Sequence, residues 1–123
     1  MDLKLQSQSV VRICFDNALT IITDEDFEIR IEVESLIRIV NNGQVKFYPG
    51  HPENAASYLV QLLGKKISIS ESTEGGNLIV KFDGGLDLTV DFDAKYEAWE
   101  ISGPKGWRVV CMPGGGIAVW SGS

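Results

Sequence analysis

Residues Tyr96 to Trp120 read YEAWEISGPKGWRVVCMPGGGIAVW and hold all three tryptophans of the chain. Three short apolar segments stand out, Tyr96 to Ile101, Trp107 to Met112 and Ile117 to Trp120, separated by Gly103-Pro104 and by Pro113-Gly114-Gly115-Gly116. Glycine opens positive φ, and proline fixes φ while removing a donor, so both breaks are turns and the stretch is a three-stranded meander. Large aromatic side chains bury the most area per residue, which makes this segment the expected anchor of the core.

Upstream, Val10 to Phe15 (VVRICF) and Leu19 to Thr23 (LTIIT) are β-branched runs joined by the polar turn Asp16-Asn17-Ala18, a hairpin. Phe27 to Val33 alternates, with Phe27, Ile29, Ile31 and Val33 on one side and Glu28, Arg30, Glu32 and Glu34 on the other. That is the period of a strand with one wet face. Ser35 to Val40 is expected to end at the turn Asn41-Asn42-Gly43, with Val45 to Tyr48 following.

His51 to Gly64 (HPENAASYLVQLLG) reads as the one helix, about three turns long. Pro52 suits its first position, Glu53 its positive end, and Gly64 with Lys65 and Lys66 its C-terminus. Ala55, Leu59, Leu62 and Leu63, bordered by Ala56 and Tyr58, form the stripe expected to lie on a sheet. Beyond it, Ile67 and Ile69 alternate with Lys66, Ser68 and Ser70. A second hairpin pairs Leu78 to Phe82 with Leu86 to Phe92 around Asp83-Gly84-Gly85, with Leu86, Leu88, Val90 and Phe92 inward and Asp87, Thr89, Asp91 and Asp93 outward. The fold expected is α+β: one domain over residues 1–123, an antiparallel strand-rich meander of about eight or nine strands with one α-helix packed on a sheet.

A chain of 123 residues is long enough for one hydrophobic core. It has no run of about 18 apolar residues, and its start, MDLKLQSQ, lacks the basic and apolar regions of an export signal. It is therefore read as cytoplasmic, without a membrane partner. The formal charge of −6 repels phosphate backbones, which excludes nucleic acid and favours a basic protein as partner. Cys14 and Cys111 each sit alone in an apolar run, the pattern of buried thiols rather than of a redox or metal pair.

Candidate chemistry is sparse. His51, the only histidine, has no ligand or general-base partner at a suitable spacing and reads as a helix-entry residue. Asp83, Asp87, Asp91 and Asp93 run along one strand, with carboxylates two residues apart diverging by roughly 7 Å rather than converging on a cation. Glu97 and Glu100, as strand residues, would point to opposite faces. Pro113-Gly114-Gly115-Gly116 is followed by a strand, so it is a hairpin turn and not a phosphate loop. No metal or cofactor is implied. What remains is a partner surface: the acids Glu28, Glu32 and Glu34 and the acids Asp87, Asp91 and Asp93, with Trp99 and Trp107 as aromatic anchors.

The ending, with Tyr96-Glu97-Ala98-Trp99-Glu100-Ile101, Gly103-Pro104, Gly106, Val110-Cys111, Pro113-Gly114-Gly115 and Ala118-Val119-Trp120, resembles the C-terminal signature of a family of small, mainly actinobacterial proteins of unknown function. Phe15, Leu19-Thr20, Ile31-Glu32 and Gly84 extend the likeness over most of the chain. The resemblance brings no catalytic residues. Small acidic proteins of this build also resemble immunity proteins, which silence a toxin by covering its active site. The leading expectation is thus a non-catalytic module that binds a basic protein, such as a toxin. The alternatives are an enzyme or small-ligand protein with its site between helix and sheet near His51 and Tyr58, and a self-associating structural module.

Overall fold

Each apolar run becomes a strand because its β-branched and aromatic residues fit a pleated surface with one side to bury. The computed structural model describes residues 1–39 and 43–122. Its strands are β1 (Val10–Phe15), β2 (Leu19–Thr23), β3 (Glu28–Ile31), β4 (Ser35–Ile39), β5 (Gly43–Phe47), β6 (Ile67–Ser72), β7 (Leu78–Phe82), β8 (Leu86–Val90), β9 (Trp99–Ser102), β10 (Trp107–Cys111) and β11 (Ile117–Ser121). Eleven strands exceed the expected eight or nine, and all of them pair antiparallel. The expected turn residues Asn41 and Asn42, and Val40 before them, lie outside the described residues.

Two sheets share one core. The six-stranded sheet runs β1-β2-β3-β9-β10-β11 and the five-stranded sheet β5-β4-β8-β7-β6. On the first, Leu19, Ile21, Ile29, Ile31, Trp99, Ile101 and Val109 turn inward; on the second, Ile37, Leu78, Val80, Leu88 and Val90 meet them. The alternation expected for residues 27–33 holds, with Ile29 and Ile31 buried and Glu28 and Arg30 outside. On β8 it ends at Val90: Phe92, expected inward, is exposed, because the strand has ended and the Phe92 N–H is held by Asn77 Oδ1 at 3.0 Å. Tyr96 is likewise outside β9, in a turn where Asp93 Oδ1 accepts from Lys95 N and Tyr96 N.

The helix is shorter than its apolar spacing implied. It breaks into a 3-10 turn at Pro52–Asn54, an α-turn α1 (Ala56–Leu59) and a second 3-10 turn at Val60–Leu62. Ala55 departs from helical geometry at φ −121°, ψ −5°, and no side chain caps any of the three starts. Ala55, Leu59 and Leu62 are buried as the stripe required, whereas Leu63 is exposed because the last turn has already tightened.

Two features lay outside the alternation rule. A bulge between Ile67 and Ile69 shifts the register of β6, so that Ser70 is buried and Ile69 half emerges, the reverse of the expected pattern. The segment Met1–Gln8 runs along the outer side of β6: Leu3 N donates to Ser70 O, Leu5 N to Ser70 Oγ, Ser7 N to Ile67 O and Ser72 N to Met1 O. Leu3 and Leu5 are fully buried by this docking.

The tryptophan-rich ending closes against the β6–β7 hairpin through glycine. A Cβ on Gly76 would lie 2.3 Å from the Gly115 carbonyl oxygen, and one on Gly115 would lie 2.4 Å from Gly75 O. The two loops therefore touch backbone to backbone, which only glycine permits. Gly76 O also accepts from Trp99 Nε1 at 2.9 Å and from Cys111 Sγ at 3.3 Å, so the buried indole N–H is satisfied by the loop it packs under. Trp99, Cys111 and Gly115, all parts of the ending quoted above, thus converge on one hairpin of the opposite sheet.

Candidate protein-binding face

Cross-strand register decides which side chains share a surface. On the outer face of the six-stranded sheet one continuous row reads Arg12, Ile22, Glu28, Ser102, Arg108 and Trp120, from β1 across to β11. The next row reads Cys14, Thr20, Arg30, Glu100, Val110 and Ala118. Five strand spacings make this face about 24 Å wide, comparable with one side of a standard protein–protein interface.

The charges on the face are arranged in two ways. At its centre they pair: Arg30 Nε lies 2.8 Å from Glu32 Oε1, and Arg108 meets Glu100 Oε2 through Nε at 3.0 Å and Nη2 at 2.6 Å. Each carboxylate raises the pKa of its arginine, chiefly through the side-chain hydrogen bond. Toward β1 they do not pair. There a depression of about 590 Å³ is lined by Val11 and Ile22 together with Arg12, Asp24, Asp26 and Glu28, and among the described residues Glu28 makes no salt bridge. At the β11 end Trp120 is 49% exposed, with the Arg108 guanidinium 5.3 Å from its ring centre.

The residues singled out from sequence are divided by this geometry. Glu28 and Glu32 lie on the six-stranded side, Glu32 bound to Arg30. Asp87 is on the outer face of the other sheet, directly between Arg38 of β4 and Lys81 of β7, so the ridge that looks purely acidic along β8 is interleaved with cations. Glu34 and Asp91 border a separate depression of about 230 Å³ where Lys46 Nζ lies 3.1 Å from Glu34 Oε1. Asp93 spends its carboxylate on the turn described above. The two ridges therefore do not form one surface.

Neither tryptophan chosen as an anchor is on this face. Trp99 is 1% exposed and belongs to the core, out of reach of a partner. Trp107 is half-buried, packed edge-on against Phe27 at 5.4 Å between ring centres, beside Met1–Lys4. The exposed anchor is Trp120, whose side of the sheet the sequence does not reveal because IAVW is apolar at every position.

Elsewhere the chemistry is thin. His51 is exposed, its Nδ1 3.7 Å from Glu53 Oε1, and Tyr58 packs against the core. Glu97 and Glu100 border the same depression, contrary to the opposite-face expectation, because Glu97 precedes β9; it holds about 70 Å³ and is shared with Arg30 and Arg108. Cys111 is buried, with its thiol pKa raised by desolvation, and Cys14 is half-buried on the outer face of β1. Four strand spacings and opposite faces separate the two, a gap of about 19 Å that no disulfide spans. Among the described residues no group of three or more His, Cys, Asp or Glu is placed to hold a metal ion, and no helix is long and apolar enough to cross a membrane.

Comparison with known proteins gives one match: the sequence pattern of a family described as a family of unknown function (DUF6188) covers residues 1–121. No curated protein and no solved structure matches the chain.

Proposed function

Since the chain belongs to the DUF6188 family, whose function is unknown, its role has to be argued from the molecule, and we propose a non-catalytic module that binds a basic protein with the outer face of its six-stranded sheet. The observation that carries the reading is the row from the acid-rimmed depression at Asp24, Asp26 and Glu28 to the exposed ring of Trp120. Carboxylates that make no salt bridge among the described residues, Asp24 being held only by the Ser9 N–H at 2.9 Å, surround an apolar floor and suit a lysine or arginine of a partner, whose aliphatic stem covers Val11 and Ile22 while its charge meets the acids. Trp120 supplies what most affinity hot spots need, a large amphipathic ring on a rigid strand. The paired charges between them set orientation more than strength. Neutralisation of a basic toxin is the specific form of this role that an acidic module of this size suits.

The test is affinity capture from the cells of origin at low and high salt, comparing the unaltered protein with Glu28→Lys and Asp87→Lys. One basic protein should be retained at low salt, released at high salt, lost with Glu28→Lys and kept with Asp87→Lys. Equal loss with both variants, or capture indifferent to Glu28, would remove this face as the binding surface. If that partner proves to be a toxin, co-expression should rescue growth, and Glu28→Lys should abolish the rescue.

A further inference from the structure

Each sheet has two edges, and three of the four carry a feature that protects them in whole or in part. Along β6 the edge is covered by Met1–Gln8. At the start of β1 the chain bulges between Val10 and Arg12, and Val10 exchanges hydrogen bonds with Gly64 and Lys65. On β5 the exposed Lys46 stands beside the helical segment, where Asn54 Nδ2 donates to Lys46 O at 2.8 Å. Bulges, lysines and covering segments are the devices by which sheets avoid pairing with one another. Among the described residues the fourth edge, β11, has none of them: Ile117–Ser121 is regular, uncharged and free of proline.

The open edge also has a definite pattern. Met112 N donates to Gly116 O at the mouth of the β10–β11 hairpin. Antiparallel bonding alternates, so Ala118 and Trp120 bond inward to Val110 and Arg108, while Ile117, Val119 and Ser121 turn their N–H and C=O groups to the open side. Val119 has the same parity as Val109, which is fully buried, yet is 51% exposed, so the second sheet does not reach over this strand.

We infer that two copies of this chain join through β11, antiparallel about a two-fold axis at Val119, to make a continuous twelve-stranded sheet. This register opposes Val119 to Val119 of the second copy, and Ile117 to its Ser121, so every outward backbone group of the strand finds a partner. On the core side the two exposed valines cover each other. On the outer face Trp120 lies opposite the second copy's Ala118, a large ring beside a small side chain, on both sides of the axis. Shifting the register by two residues leaves outward groups unpaired and breaks the ring-to-alanine match. No acid lies on β11 to oppose the pairing, and closed symmetry limits the assembly to a dimer rather than a filament. The inference does not rest on the basic partner, whose charged contact at Glu28 lies three strands away, although Trp120 on β11 belongs to both surfaces.

Sedimentation equilibrium or light scattering over a wide concentration range tests it. The expected mass is twice the 13.5 kDa of the chain, and Val119→Lys, which places two charges on the axis at an exposed position, should give a folded monomer. Register is tested separately with Val119→Cys in a Cys14→Ser background, since opposed residues lie about 5.5 Å apart, within disulfide reach. Copper-phenanthroline oxidation should cross-link Val119→Cys, whereas Ser121→Cys, which faces Ile117, should stay uncrosslinked. A chain that remains monomeric at every concentration, or a dimer indifferent to Val119→Lys and uncrosslinked through Val119→Cys, would overturn the inference. The Glu28→Lys capture experiment would be unaffected by either result.

Discussion

Replacing Gly76 by alanine tests whether the glycine contact joins the two sheets, and Gly114→Ala is its matched control. Both glycines have nearly the same backbone, φ +92° and +88°, but a Cβ at 76 would lie 2.3 Å from Gly115 O, whereas one at 114 meets nothing within 4 Å. Each variant carries the cost of an L side chain at positive φ, about 1–2 kcal/mol. Only Gly76→Ala must also push the two loops apart, which withdraws the Gly76 carbonyl from Trp99 Nε1. A buried donor left unpaired costs about 1–3 kcal/mol more. The expected losses are then about 2–5 kcal/mol for Gly76→Ala and about 1–2 kcal/mol for Gly114→Ala, a large fraction of the stability of a small domain. At about 3–6 °C per kcal/mol, thermal unfolding followed by circular dichroism should separate the two variants by about 10 °C. The Trp99 indole proton resonance should move in Gly76→Ala alone. Melting temperatures within about 2 °C of each other, with that resonance unshifted, would refute the argument.

Trp99→Phe keeps most of the buried ring but removes the donor to Gly76 O, and guanidinium unfolding should show a loss of about 1–3 kcal/mol. Leu5→Ala, at a fully buried position of the segment that covers β6, should cost about 2–5 kcal/mol and raise the tendency to aggregate as that edge opens, read by light scattering on heating. A thiol reagent on the native protein should modify Cys14 well before Cys111, read by peptide mass spectrometry, because only Cys14 is partly exposed. Burial raises the Cys111 pKa above its ordinary 9.0, so its contribution to stability is present below pH 9 and is lost as the pH climbs through the raised value. Cys111→Val should blunt that alkaline decline, measured by urea unfolding between pH 8 and pH 11.

The strands were legible wherever polar and apolar residues alternate. Residues 27–33 and Leu86 to Val90 show their inner faces directly, and the glycine and proline turns bound most of the rest. The helix was legible only as a stripe, since Ala55, Leu59 and Leu62 keep helical spacing across turns that are not one helix. The candidate face was half legible: Glu28 is an outward acid by parity alone, whereas the counter-charges beside Asp87 come from β4 and β7, distant in sequence. Trp120 was hidden because WRVVC and IAVW are apolar at nearly every position, so no alternation shows which side of the sheet a residue takes.

The sequence by itself determined an antiparallel, strand-rich domain of one core, an acidic surface and the places where the chain turns, because those follow from local periodicity and backbone chemistry. Only the tertiary structure decided that Trp99 is core and Trp120 is surface, that Gly76 must meet Gly115 without a side chain, and that β11 is the edge left open. Each of those depends on strand order and register, which are set by contacts between residues far apart in the chain and leave no trace in any single segment.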